Sequence, residues 1–84
     1  MSWKRTLKRV LDGRTDASIR FEDLCSLMER LGFHSRSRES HHIFWREDIE
    51  ELINLQRSDG NAKPYQVKQV RTVILKYGLD GERR

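Results

Sequence analysis

Residues 36–46 read Arg-Ser-Arg-Glu-Ser-His-His-Ile-Phe-Trp-Arg, and the fold of the chain is organised around them. From Ile43 onward the pattern is aromatic and β-branched, which favours a β-strand. The two histidines therefore stand where a strand begins, just after a turn. Because alternate residues of a strand point to opposite faces of a sheet, His41 and His42 are expected to lie on opposite faces, one toward solvent and one toward the core.

The same stretch combines groups that exchange protons near neutral pH with groups that hold phosphate. The imidazoles of His41 and His42 serve the first purpose, and the guanidinium groups of Arg36 and Arg38 serve the second. The alternative is a polar hairpin in which two histidines are neighbours by chance, since such pairs are common on protein surfaces.

The size and composition of the chain indicate one small domain. Its 84 residues are 36% apolar and 36% charged, and the apolar residues fall in periodic clusters that favour a folded chain. No apolar run is long enough to cross a membrane and the N-terminus shows no signal-peptide pattern, so we expect a cytoplasmic protein. The single cysteine, Cys25, is expected to be a small core residue rather than a catalytic thiol.

The net charge of +4 is unevenly distributed, with basic ends around an acidic middle. Residues 1–20 and 57–84 carry +4 each, and residues 21–56 carry −4. A polyanion would be attracted to both ends and to the pair Arg36 and Arg38. The acidic middle argues against a nucleic-acid footprint that covers the whole surface.

Helical periodicity predicts three helices, over residues 3–11, 21–31 and 64–77. The first is short, basic and amphipathic, and we expect it to pack on the rest of the chain because this removes the large apolar side chain of Trp3 from water. Glycines follow all three segments and suit helix ends, and Pro64 suits the first position of the third helix.

Three strands are predicted, over residues 33–38, 41–46 and 50–56, the first of them weak or at an edge, with a polar loop over residues 57–63. The short connections favour an antiparallel meander. The fold class is therefore α+β, with order α-β-β-β-α behind an N-terminal helix and with the helices on one face of the sheet. The predicted core consists of Leu24, Leu27, Met28, Phe44, Ile53, Leu55, Val70 and Ile74.

This element order and its residues resemble the HicA-type mRNA interferase toxins, small proteins with a double-stranded-RNA-binding-domain-like fold. The resemblance covers about residues 20–79 and divides the chain into a basic helix and linker (1–18), a HicA-like domain (19–79) and a tail (80–84). Its central motif is Ser-His-His-Ile-Phe at residues 40–44, against Gly-Ser-His-His in the family. The first family helix with its Gly-aromatic end, the third strand and the final helix also match, at residues 21–33, 53–55 and 67–79.

The resemblance implies a toxin that cuts mRNA without a metal or other cofactor and that a HicB-type antitoxin covers. The catalytic histidine of the family corresponds to His41, and His42 is either its partner or a half-buried structural residue. The family's glycine is replaced by Glu39, whose carboxylate would repel phosphate unless an arginine neutralises it. The residues expected to contact RNA are Arg36, Arg38, Ser40 and Lys63.

Two other functions remain open: a non-catalytic RNA-binding module, and an interaction domain whose basic helix 3–11 docks an acidic partner. Glu39 favours the binding module and an intact His41 favours cleavage. DNA binding is not expected, because no helix-turn-helix arrangement or zinc-ligand spacing is present. Metal binding by His41 and His42 is not expected either, since neighbouring side chains on a strand diverge.

Overall fold

The computed structural model describes residues 2–81, which form three α-helices and a four-stranded antiparallel sheet. The helices are α1 (Trp3–Asp12), α2 (Phe21–Arg30) and α3 (Pro64–Tyr77), and a single 3-10 turn covers Asp16–Ser18. The strands are β1 (His34–Arg38), β2 (His41–Arg46), β3 (Ile49–Ser58) and β4 (Asn61–Ala62), in the order β1-β2-β3-β4. The predicted α+β class is confirmed.

The core lies between one face of the sheet and the helices. All eight predicted core residues are at most 1% exposed. Full burial of an aliphatic or aromatic side chain is worth about 1.5–3 kcal/mol, so this shared cluster dominates the stability of so small a domain. The predicted edge strand is also confirmed: β1 pairs only with β2, and all five of its residues are exposed.

Helix α1 packs onto the same core, as its amphipathic pattern predicts. Val10 is fully buried, and Trp3 is half-buried with the Arg30 guanidinium 5.2 Å from its ring centre. Near the C-terminal end of α1, Arg71 of α3 donates to the backbone oxygen of Val10 at 2.9 Å and pairs with both carboxylate oxygens of Asp16. The N-terminal helix is therefore joined to α3 by polar contacts as well as by apolar packing.

The prediction of three strands and a polar loop over residues 57–63 is wrong. Strand β3 continues to Ser58, and a tight turn at Asp59 and Gly60 leads into β4. These two residues have φ of 53° and 83°, as a two-residue type I′ hairpin requires. The backbone nitrogen of Ala62 donates to the oxygen of Ile19 at 2.9 Å, so a polar sequence becomes a strand because its backbone groups find partners.

The boundaries 1–18, 19–79 and 80–84 remain predictions. Leu79 packs against the core, and its backbone nitrogen donates to the oxygen of Ile74 at 2.9 Å. Most of the predicted frayed tail, residues 82–84, lies outside the described residues. No helix within residues 2–81 is long and apolar enough to cross a membrane.

Candidate functional site

The face of the sheet opposite the core is not covered by the helices, and we call it the open face. Because residues paired across strands share a face, the strand register defines its membership. Two of its rows are Arg38–His41–Gln56, at the end next to the β1–β2 turn, and Arg36–Ile43–Asn54. The open face comprises His34, Arg36 and Arg38 of β1, His41, Ile43 and Trp45 of β2, and Leu52, Asn54 and Gln56 of β3.

Both ring nitrogens of His41 contact amide side chains of β3. Nδ1 lies 3.3 Å from Oδ1 of Asn54, and Nε2 lies 3.2 Å from the amide nitrogen of Gln56. An amide oxygen only accepts and an amide nitrogen only donates, so the proton of the neutral ring is on Nδ1 and the lone pair is on Nε2. The site therefore presents His41 in the form that accepts a proton at Nε2.

The orientation of the Gln56 amide is set from outside the sheet. Nζ of Lys63, just before α3, donates to Oε1 of Gln56 at 3.1 Å, which turns the NH₂ group toward His41. The backbone nitrogen of Gln56 donates to Oε1 of Gln66 at 2.9 Å, and Gln66 is only 3% exposed. A buried residue of α3 thus fixes the strand position from which Gln56 holds His41.

The predicted RNA-contacting residues lie around this histidine. Arg36 and Arg38 are exposed on β1, in the rows of Ile43 and His41, and neither forms an ion pair with any described residue. Ser40 is exposed in the turn that immediately precedes His41. Lys63 also belongs to the site, although its ammonium group bonds to an uncharged amide, which leaves its charge without a neutralising partner at that contact.

Glu39, which the resemblance aligns with the family's glycine, lies in the turn before His41. Glu39 joins β1 to β2 and has φ of 56°, in the left-handed region that glycine adopts without cost. The backbone here has the form that a glycine would favour, and a glutamate occupies it. Its carboxylate extends from an exposed residue two positions before His41.

His42 is not beside His41, because it lies on the core side of β2, as one of the two histidines was expected to do. Its ring packs edge-on against Phe21, with 5.0 Å between ring centres and 75° between planes. Nδ1 of His42 is buried and has no hydrogen-bond partner among residues 2–81. The structure therefore separates the two predicted catalytic histidines.

The other candidate groups are elsewhere. His34 stands at the far end of the open face, where Nε2 contacts Oε1 of Glu47 at 3.3 Å. Burial raises the pKa of the Cys25 thiol to about 12, which leaves it protonated at neutral pH and unsuited to nucleophilic work. Among the described residues, no three His, Cys, Asp or Glu side chains converge in an arrangement able to hold a metal ion.

Sequence reasoning did not identify Asn54 and Gln56 as site residues. The alternation of β3 places both opposite Ile53 and Leu55, but the rows that bring them to His41 depend on the register between β2 and β3. The alternation of β3 is the signal that the sequence offers, and it places Asn54 and Gln56 on the face opposite the core without showing that they meet His41.

The chain matches no family model, no curated protein and no solved structure. The likeness to HicA-type toxins therefore depends on the residues quoted above and stays a prediction.

Proposed function

We propose that this protein is an endoribonuclease, the toxin of a HicA-type toxin–antitoxin pair, with its cleavage site on the open face around His41. One observation carries the proposal. An imidazole on an uncovered sheet face is held through both ring nitrogens, in a single tautomer, beside guanidinium groups that have no acidic partner among the described residues. Positioned proton acceptors next to unneutralised cations are what cleavage of a phosphodiester requires.

The reaction uses the ribose 2′-hydroxyl as the nucleophile. Nε2 of His41 takes the proton of the 2′-OH, the 2′ oxygen bonds to phosphorus, and the bond from phosphorus to the 5′ oxygen breaks. The leaving 5′ oxygen is protonated, which balances the proton that His41 takes from the 2′-OH. The products are a 2′,3′-cyclic phosphate and a 5′-OH. The Gln56 amide, which donates to Nε2 in the free protein, moves aside for the ribose hydroxyl.

The surrounding cations stabilise the charge that builds up on the phosphate. Arg38 is paired with His41 across the strands, and its planar guanidinium suits two phosphate oxygens at once. Lys63 lies on the other side, within hydrogen-bond distance of Gln56. Arg36, one row further along, suits the neighbouring phosphate. Ser40 completes the set as a hydroxyl in the turn.

The fold supports the same proposal. The order α2-β1-β2-β3-α3, with both helices on one face, is that expected of a double-stranded-RNA-binding-domain-like fold, with β4 added as a short hairpin strand. In this proposal a HicB-type antitoxin inhibits the protein by covering the open face, and mRNA is the substrate.

Two observations favour a second candidate, an RNA-binding module without catalysis. Nε2 of His41 already has an amide partner, and Glu39 places a carboxylate in the turn just before Ser40 and His41, where its charge is unfavourable for a phosphate. Neither feature removes the cations that attract RNA. The two candidate functions differ in one result, because the nuclease cuts RNA and the binding module binds RNA without cutting it.

The test is incubation of the purified protein in EDTA with an oligoribonucleotide and with the all-deoxy strand of the same sequence. We expect the RNA to be cut to products that end in a 2′,3′-cyclic phosphate and a 5′-OH, and the deoxy strand to stay intact because it lacks the nucleophile. Cleavage of the deoxy strand would contradict this mechanism. A gel shift of RNA without cleavage would favour the binding module.

A further inference from the structure

The far end of the open face carries an aromatic pair that the proposed chemistry does not use. The rings of His34 and Trp45 lie with centres 5.6 Å apart and planes at 37°, and the residues are direct partners across β1 and β2. The contact between His34 and Glu47 holds the imidazole in this place. Trp45 lies where the register between β2 and β3 shifts, and its ring contact with His34 places it on the open face.

This pair is aligned with His41 along one strand. Residues 41, 43 and 45 share a face of β2, so His41 and Trp45 are roughly 13 Å apart along the strand. Arg36 and Arg38 run beside them on β1, one row apart. The face therefore has a row of cations along one side, a proton acceptor at one end and aromatic rings at the other.

The charges differ between the two ends. Near His41 the cations Arg38 and Lys63 suit a phosphate, whereas Glu47 beside His34 repels one. A nucleobase is neutral and stacks on aromatic rings, and so is compatible with the carboxylate. Leu52, on the same face, is 61% exposed and adds apolar surface at this end.

We propose that the open face binds a single-stranded RNA segment, with its phosphates along Arg36 and Arg38 and one unpaired base stacked on the pair His34 and Trp45. The inference rests on the proposed RNA-directed function and adds a base-stacking site at the end of the open face away from His41. A base within a duplex is stacked on its neighbours and does not reach such rings, so the site selects unpaired RNA.

The test measures binding apart from cleavage. The probe is a fluorescein-labelled, 2′-O-methylated single strand of mixed sequence, which lacks the nucleophilic hydroxyl, titrated in EDTA and followed by anisotropy. Trp45→Leu keeps an apolar side chain and removes the rings, and we expect it to raise Kd about 10-fold, the size of one lost stack. Trp45→Phe keeps an aromatic ring and should stay within about 3-fold of wild type.

A second measurement reports on Trp45 itself. In a Trp3→Phe background Trp45 is the remaining tryptophan, and the single strand should quench its fluorescence while a blunt duplex of the same sequence should not. Thermal unfolding of each variant confirms that it is folded. Equal Kd for wild type and folded Trp45→Leu, or equal quenching by the duplex, would overturn the inference. If the wild-type protein binds RNA without cleaving it and Trp45→Leu weakens that binding, the base-stacking site is supported and the proposed nuclease activity is refuted.

Discussion

At the residue scale, Glu39 combines a backbone cost with a charge cost. A non-glycine residue in the left-handed region lowers the stability of the fold by about 1–2 kcal/mol. Glu39 adopts this conformation and also carries a carboxylate two residues before His41 in the sequence. Glycine would remove both costs but adds freedom to the unfolded chain. A glycine at position 39 should therefore raise stability only slightly, and we expect its larger effect on RNA binding and cleavage.

We expect Glu39→Gly to raise stability by about 0.5–1 kcal/mol and to strengthen RNA binding and cleavage. Glu39→Gln is the matched control, because it removes the charge and keeps the backbone restriction. It should reproduce the gain with RNA without the gain in unfolding temperature. A lower cleavage rate in Glu39→Gln would instead show that the carboxylate takes part in proton transfer.

The environment of His42 predicts a structural role. Its ring contacts Phe21, and its buried Nδ1 lacks a partner among the described residues, a situation that costs about 1–3 kcal/mol. His42→Ala should lower stability by about 1–2 kcal/mol through lost packing. His42→Phe keeps an aromatic contact and removes the unpaired nitrogen, so its unfolding temperature should equal or exceed that of wild type. Loss of RNA cleavage by folded His42→Phe would restore His42 to the catalytic site.

At the scale of elements, a polar link joins the end of α3 to the start of β3. Nζ of Lys76 donates to one oxygen of Glu51 at 2.8 Å, and the Tyr77 hydroxyl donates to the other at 2.7 Å. The Lys76 hydrogen bond, followed by that of Tyr77, lowers the pKa of Glu51 below its ordinary value of 4.5. The link is thus strongest with Glu51 ionised.

The sign of the pH effect follows from the lowered pKa. The stabilisation is present in full above pH 4.5, the ordinary pKa, and is lost as the pH falls through the lower value of the folded protein. Glu51→Gln should therefore unfold at a lower temperature than wild type at pH 7, and the difference should shrink below pH 4.5. An equal difference at pH 7 and pH 3, measured by circular dichroism, would contradict this assignment.

The elements show which features local sequence determines. Helix ends at Gly13 and Gly78 and the start of α3 at Pro64 were predicted, because a cap or a fixed dihedral angle acts within one turn. The hairpin at Asp59 and Gly60 was missed, although Asp-Gly is a strong signal for a two-residue turn. The polar character of residues 57–63 favours a loop, and it does not show the backbone partners that make residues 61 and 62 a strand.

At the scale of the whole molecule, the core was predictable and the site only in part. Periodic apolar residues identify the buried face of each element without knowledge of its neighbours, and the alternation of β2 predicts that one of the two adjacent histidines lies opposite the core. The residues that orient His41 come from another strand and from the segment before α3: Asn54, Gln56 and Lys63. Such neighbours depend on register, which a single strand's sequence does not contain.

One face of the sheet packs against the helices, and the other face is open. The helices and the core hold β2 and β3 in register, and this register assembles the open face. We propose that His41 transfers a proton on that face during RNA cleavage. Its amide partners should still bond to a glutamine, so His41→Gln alters the proton chemistry with little change in shape.

The most direct test is the single-turnover rate of RNA cleavage in EDTA by wild type and by His41→Gln, each shown to be folded by thermal unfolding and to bind the 2′-O-methylated strand. A glutamine cannot exchange a proton near neutral pH, and general acid–base catalysis typically contributes about 10²–10⁴-fold. We therefore expect His41→Gln to lose that much of the cleavage rate while its RNA affinity stays unchanged. Cleavage by folded His41→Gln at the wild-type rate would contradict the proposed role of His41.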